Sequence, residues 1–252
     1  MRARIDFNCD LGEGCGDDAA IIPLISSANI ASGGHAGDES TMRQTLRLCG
    51  QHGVAAGAHP SFEDREHFGR RVLDVAPQEI SRSVRAQLER LAIVADEEGV
   101  RLHHVKPHGA LYNVAADDRA VADAFASAVA AFDPALVLFG LSGSALTDAG
   151  RAHGLHVAHE VFAERGYDAR GRLLPRGRPG AVIESLDAAI AQVHRLVARG
   201  EVVADDGRVV ALRADTLCLH GDRSDAAAFA RAVRAALEAD GVDIRACDGV
   251  AP

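Results

Sequence analysis

Six short stretches of this 252-residue chain concentrate side chains that can move protons, hold anions or ligate metals. They are Asn8-Cys9-Asp10-Leu11-Gly12-Glu13, Gly33-Gly34-His35-Ala36-Gly37-Asp38, His59-Pro60, His103-His104-Val105-Lys106-Pro107-His108-Gly109, His159-Glu160 and His220-Gly221-Asp222. Imidazoles beside carboxylates serve general acid–base catalysis. A lysine or arginine neutralises a developing oxyanion or a phosphate. Imidazole plus carboxylate also suits Zn, Mn or Ni. Each residue has a plainer use as well. A lone histidine near a strand end is more often a hydrogen-bonded core or surface group, Asp10 can cap a turn, Glu13 can be solvated, and Lys106 can reach the surface along its apolar stem. The weight therefore rests on the joint pattern, in which at least five strand ends pair such residues with glycine.

The elements that must position them alternate along the chain. Short β-like runs fall at 4–9, 27–31, 54–58, 101–106, 136–140, 156–161 and 216–220. Helical stretches fall between or after them, at 19–25, 39–52, 77–98, 119–132, 144–153, 186–199 and 224–240. The third is the clearest: Pro77 sits in its first turn, Gly99 lies just past its end, and Ile80, Val84, Leu88 and Leu91 recur at helical spacing. Roughly seven β-then-α units imply parallel strands joined by crossover helices. Strand side chains alternate faces, so Asn8 and Asp10 share one, as do His104 and Lys106, with His108 close by. A parallel barrel gathers all C-terminal strand ends at one rim. An open sheet lays them out in a line.

Two stretches break the rhythm. Residues 164–180 are rich in Gly, Arg and Pro and cannot form a helix; Arg165–Gly180 is expected to be a mobile loop over the cleft, with a passive surface loop as the alternative. Residues 201–214 alternate apolar and polar around Asp206-Gly207, which predicts a hairpin. No linker composition intervenes, and residues 1–252 read as one domain.

Composition narrows the function. Hydrophobic residues make up 48% and charged residues 25%, the balance of a globular protein. Aromatics are only 4%, so the core must be built from Ala, Val, Leu and Ile. A net charge of −9 argues against a nucleic-acid partner. No apolar run is long enough to span a bilayer. Five cysteines without a C-x-x-C pair predict reduced thiols and a cytoplasmic location. The chain has no G-x-x-x-x-G-K-[ST], no H-E-x-x-H and no G-x-S-x-G. Gly140-Leu141-Ser142-Gly143-Ser144 offers either an anion cradle or an ordinary capped turn.

With these residues assembled, the chain resembles the LamB/YcsF family of 5-oxoprolinase A subunits over residues 4–245. The resemblance is carried by Asn8-Cys9-Asp10-Leu11-Gly12-Glu13-Gly14, Ser26-Ser27-Ala28-Asn29-Ile30-Ala31, His35-Ala36-Gly37-Asp38, Gly57-Ala58-His59-Pro60-Ser61-Phe62, Phe68-Gly69-Arg70-Arg71, His104-Val105-Lys106-Pro107-His108-Gly109-Ala110-Leu111-Tyr112-Asn113, Glu160-Val161-Phe162-Ala163 and Leu219-His220-Gly221-Asp222. The chain departs from the family's Ala-Cys-Gly-Phe-His-Ala-Gly by reading Ala31-Ser32-Gly33-Gly34-His35, and it has Glu164 where Asp is usual.

The resemblance implies an irregular (β/α) barrel of about seven parallel strands, similar to glycoside hydrolase and deacetylase barrels. It implies work with partner subunits B and C, converting 5-oxoproline, ATP and water to glutamate, ADP and phosphate, with ATP as co-substrate of the complex and Mg accompanying it. On this view the catalytic candidates are Asp10, Glu13, His59, His104, Lys106 and His108, with burial raising the pKa of the carboxylate that serves as base. The substrate-binding candidates are Asn8, His35, Arg71, Asn113, Glu160, His220 and Asp222. His35, His59 and His104 with a carboxylate are candidate metal ligands. Two alternatives stand beside it: a free-standing metal-dependent deacetylase or amidohydrolase, and a non-catalytic lactam-binding subunit.

Overall fold

The structure, a computed structural model, describes residues 3–15, 17–221 and 225–248. Strand β1 (Arg4–Leu11) leads through α1 (Asp18–Ile21) and a 3-10 turn (Ile22–Leu24) into β2 (Ser27–Ala31). Then follow α2 (Glu39–His52), β3 (Ala55–His59), α3 (Pro77–Glu97), β4 (Leu102–Val105), α4 (Gly109–Asp117), α5 (Arg119–Phe132), β5 (Val137–Leu141), α6 (Ala145–Ala152) and β6 (His156–Phe162). After α7 (Leu186–Arg199) come the antiparallel hairpin β7 (Glu201–Val203) and β8 (Val209–Ala211), then β9 (Thr216–His220), α8 (Ala226–Ala239) and β10 (Asp243–Ile244). Pro23 ends α1 because a ring nitrogen cannot donate to the helix ladder. Asp38 and Thr41 form a capping box on α2, and Gly53 closes that helix in the left-handed conformation.

Strands β1, β2, β3, β4, β5, β6 and β9 are parallel neighbours in that order, and β9 pairs back onto β1. The sheet is thus a closed seven-stranded (β/α) barrel, with β10 added outside β1. Closure leaves the seven barrel strands without an edge except where β10 attaches. Among the described residues no helix is long and apolar enough to cross a membrane.

Alternation along β1 sends Ile5, Phe7, Cys9 and Leu11 outward into the main apolar core under the helices. Asp6, Asn8 and Asp10 point the other way, into the barrel. The barrel interior is therefore largely polar, with only Val137, Phe139 and Ala158 forming a small apolar cluster there, and Cys247 packs on it from one end. Burying Phe7 and its neighbours on the outer face contributes about 1.5–3 kcal/mol per large side chain. That outer layer offsets the cost of so polar an interior.

Two elements escaped the sequence reading. Helix α4 is short and carries its apolar side chains all round, so no amphipathic stripe marks it. Strand β10 is two residues long and exists only because β1 lies beside it.

Candidate active site

Asp10, at the end of β1, is buried at 5% exposure in a closed ring of partners. Its Oδ1 receives Lys106 Nζ at 2.9 Å and Asn29 Nδ2 at 2.8 Å, and its Oδ2 lies 3.3 Å from His59 Nε2. Lys106 Nζ also lies 2.9 Å from Glu160 Oε1 and 3.0 Å from Cys218 Sγ. Asn8 Nδ2 donates to Glu160 at 3.0 Å and to Thr216 Oγ1 at 2.6 Å, and Asn29 Nδ2 donates to Asn8 Oδ1 at 2.7 Å. Five different strands thus supply one continuous network, which barrel closure alone makes possible.

The network sets the charges. Burial opposes the Lys106 ammonium, but Asp10, Cys218 and Glu160 outweigh it and hold its pKa well above the usual lysine value. Burial likewise pushes the Asp10 carboxyl up, while His59 and Lys106 pull harder and hold it well below the usual range. This corrects the expectation of a carboxylate raised by burial: the lysine lies at hydrogen-bond distance, and Coulomb attraction in a buried site exceeds desolvation here. Asp10 is an anion locked to a cation.

His104 occupies the layer below. It is fully buried, stacks on Phe139 with ring centroids 4.2 Å apart, and bonds Asn29 Oδ1 through Nε2 at 2.8 Å. Its register comes from a bulge: Ala56 pairs with Leu102, yet Gly57 pairs with His104. Gly57 is required there, since a Cβ would fall 2.2 Å from the His104 ring. Burial, with His103 and Lys106 nearby, pushes the His104 imidazolium well down, so it is neutral.

Above the network stands a group of three imidazoles and a carboxylate. His35 Nε2 is 3.0 Å from Glu13 Oε1, His108 Nδ1 is 3.4 Å from the same oxygen, and His108 Nδ1 is 3.0 Å from His59 Nε2. Donor atoms of Glu13, His35, His59 and His108 all lie within 4.8 Å of one another. Burial, with His59 adding to it, pushes His35 down to about 2 and His108 well below its usual value. The segment after β3 holds this group: Gly69 (φ 63°) leaves room where a Cβ would meet His35 at 2.8 Å and His108 at 3.0 Å.

Asp10, His59, Lys106 and His108 floor a pocket of about 390 Å³. Its mouth carries Arg70, Arg165, Arg172 and Arg176, and Asp117 is the carboxylate among them, 2.7 Å from Arg172. Stretch 164–180 forms one side of that mouth, pinned by bridges Arg165–Val182 and Tyr167–Leu173. Arg165 is buried, spends its guanidinium on the carbonyls of Ala181 and Leu174, and is pushed down to about 10 by burial.

The LamB/YcsF family model matches residues 5–251. The chain belongs to that family. Within it, the chain is 55% identical over 251 residues to the 5-oxoprolinase A subunit of Bordetella pertussis, covering 98% of this chain and all of that one. It is 55% identical over 246 residues to the protein of the same name from Chloroflexus aggregans, covering 96% and 98%. Its fold matches the crystal structure of the lactam utilization protein from Thermus thermophilus at TM-score 0.91 and 46% identity, over 96% of this chain and 99% of that one. The peptidoglycan deacetylase PdaC from Bacillus subtilis, 13% identical with TM-score 0.51 over 97% and 87%, shares the fold alone.

Within this LamB/YcsF barrel, Asp10, His59, Lys106, His108, Asn113 and His220 line the pocket, while Asn8, His104 and Glu160 lie in the network beneath it. His220 stacks on Phe162 and pairs with Glu164. Arg71 does not reach the pocket: it is 58% exposed and lies 3.7 Å from Asp64. Arg70, its neighbour, is also exposed but borders the pocket, its guanidinium over the Phe68 ring. His104 does not join the imidazole group named as metal ligands, because Asn29 and Phe139 hold it one layer down. Asp222 lies outside the described residues. Ser144 caps α6 by accepting from Thr147 N, and Gly143 N donates to His159, so residues 140–144 are a capped turn. The mouth arginines and Tyr112 were missed, although the arginine content of 164–180 was a signal in plain view.

Proposed function

We propose that this chain is the A subunit of an ATP-dependent 5-oxoprolinase, working in the cytoplasm with subunits B and C to open 5-oxoproline to L-glutamate as ATP becomes ADP and phosphate. One observation carries the reading beyond the full-length relatives: a cationic mouth opening onto a floor of one ionised carboxylate, one buried ammonium and several imidazoles. A lactam carbonyl is a poor electrophile, and this chain has no P-loop. Its partners are the source of the activating phosphoryl group, and Mg accompanies the nucleotide there.

An activated ring arrives as an anion, and the Arg70, Arg172 and Arg176 guanidiniums favour its entry. Lys106 faces the carbonyl oxygen and stabilises the charge that develops on it. Asp10 takes a proton from the water that attacks the activated carbon; a carboxylate held low is a weak base, which suffices once the carbonyl is activated. The C–N bond then breaks as the ring nitrogen takes up a proton, and water releases phosphate from the resulting acyl phosphate to leave glutamate. Glu160 and Tyr112 suit recognition of the ring N–H and carboxylate, since Tyr112 lines the pocket and the buried Glu160 carboxylate lies beside its hydroxyl. His59 and His108 orient the water, and Asn113 and His220 border the substrate. Reconstitution with B and C, following glutamate release with and without this chain, tests the reading. Glutamate formed equally well without it, or 5-oxoproline-dependent ATP hydrolysis by this chain alone, overturns it.

A further inference from the structure

Two ring nitrogens meet a carboxylate oxygen here, and each ring is tied to a backbone carbonyl through its other nitrogen. His59 Nδ1 lies 2.8 Å from the Lys106 carbonyl and must donate to it, because a carbonyl only accepts. His108 Nε2 lies 2.9 Å from the Phe68 carbonyl and must donate in turn. With its Nε2–H spent on Phe68, a neutral His108 turns its Nδ1 lone pair toward Glu13 Oε1 at 3.4 Å and His59 Nε2 at 3.0 Å. A lone pair facing a carboxylate oxygen is repelled unless a cation, a proton or a metal ion, stands beside them. Binding of the far ring nitrogen to a carbonyl is also how proteins orient metal-ligating histidines. Phe68 holds its carbonyl there from a left-handed backbone (φ 55°), a conformation costly for a bulky residue and found where function maintains it.

We propose that Glu13, His59 and His108 form a binding site for one divalent transition-metal ion such as Zn²⁺ or Mn²⁺. Tetrahedral zinc with bonds near 2.0–2.1 Å places its ligand atoms roughly 3.3 Å apart. The separations are 3.0 Å for His59 Nε2 to His108 Nδ1 and 3.4 Å for His108 Nδ1 to Glu13 Oε1. Asp10 Oδ2, 3.3 Å from His59 Nε2, borders the remaining side, where water or substrate has access from the pocket. The His59 and His108 rings are nearly perpendicular, at 86°, so their planes share a line on which an ion can face both nitrogens.

His35 is excluded by the same geometry. Its ring stacks on His108 at 3.7 Å with the planes 4° from parallel, and an ion in the plane of one ring lies well outside the plane of the other. His35 is a positioning residue that holds the Glu13 carboxylate through Nε2 at 3.0 Å. A bound ion at this site supplies Lewis-acid polarisation of a carbonyl and acidifies its water. The assignment does not depend on the lactam reading, because its test measures binding and not turnover.

The test uses the tag-free full-length protein, stripped with chelator and then exposed to Zn²⁺, Mn²⁺ or Co²⁺. Elemental analysis should find about one ion per chain, the melting temperature should rise with the ion, and Co²⁺ should give visible bands of low-coordinate cobalt. Glu13→Gln, His59→Asn and His108→Asn should each lose the ion to background, while His35→Asn and His104→Asn keep the one-ion stoichiometry. Circular dichroism and melting of the stripped variants separate lost ligation from lost folding. Wild-type protein that takes up no ion and melts unchanged overturns the proposal even if every variant misfolds. So does retention of the ion by both His59→Asn and His108→Asn, or a ¹⁵N spectrum of wild type in excess Zn²⁺ showing a proton bridging His59 and His108.

Discussion

Asp6 and Asp10 stand four residues apart on one face of one strand, both buried inside the same barrel, and their surroundings are opposite. Asp6 is met by hydroxyls alone, from Ser26 at 2.6 Å, Ser27 at 2.7 Å and Thr216 at 2.5 Å. Burial pushes its carboxyl up, and those hydroxyls only moderate the effect. Asp10 is met by an ammonium and an imidazole, which pull it down. One end of the barrel closes with a carboxyl held by hydroxyls, and the other keeps charges paired at the edge of a pocket. Two buried carboxyls on one strand face are thus pushed in opposite directions by which neighbours carry charge.

The strongest way to break this contrast is Lys106→Met. It leaves Asp10 and Glu160 buried without their shared cation, a change that costs about 3–5 kcal/mol when one partner of a buried pair is removed. Unfolding by denaturant should show that loss, the further change Glu160→Gln should recover part of it, and turnover in the reconstituted complex should stay abolished in both. A Lys106→Met protein as stable as wild type would mean the ion pairs are not formed.

At the Asp6 end, Thr216→Val removes the hydroxyl that donates to Asp6 and accepts from Asn8. Two buried polar groups then lose a partner, for an expected cost of about 1–3 kcal/mol. Turnover per folded molecule should fall far less than in Lys106→Met, since Thr216 reaches the pocket only through Asn8. A large fall in turnover with unchanged melting would erase the distinction between the two ends.

Acid titration sharpens it further. Asp6 has a folded pKa above its unfolded value, so its contribution is greatest below about pH 4 and is lost as pH rises through the folded pKa. Asp10 has a folded pKa below its unfolded value, so its contribution is full above about pH 4 and is lost as pH falls through the folded pKa. As pH rises, wild type should therefore lose stability relative to Asp6→Asn and gain it relative to Asp10→Asn. Denaturant midpoints across the acid range check this, and slopes of the same sign would contradict it.

The smallest effect on folding belongs to the mouth. Arg176→Ala removes an exposed guanidinium, so melting should move little. Substrate affinity in the complex should fall by roughly tenfold, the scale of one charge-assisted hydrogen bond. An unchanged KM would take Arg176 out of the binding surface.

Much of this was legible before any coordinates. Seven strands fell within a residue or two of their places because β-branched and small apolar runs are bounded by Gly, Pro and Asp. The pairing of His104 with Lys106 on one face followed from period-two alternation. Arg70 and Arg71 were indistinguishable in sequence, and only the left-handed turn at Phe68-Gly69 sends the first toward the pocket and the second to solvent. His104 and His108 were equally good ligand candidates until Asn29 and Phe139 claimed one and the Phe68 carbonyl oriented the other.

Residue type and order were enough for the alternation of strands and helices, the family, and the set of side chains able to do chemistry. These depend on local periodicity and side-chain identity, which are properties of neighbours along the chain. Folding in three dimensions settled which carboxylate is paired with a cation, which imidazoles gather around Glu13, and which arginines border the pocket. Those outcomes depend on distances of a few ångströms between strands separated by up to 210 residues, as from Asp6 to Thr216. Coulomb and hydrogen-bond energies change steeply over such distances, and nothing in the order of residues encodes them until the barrel closes.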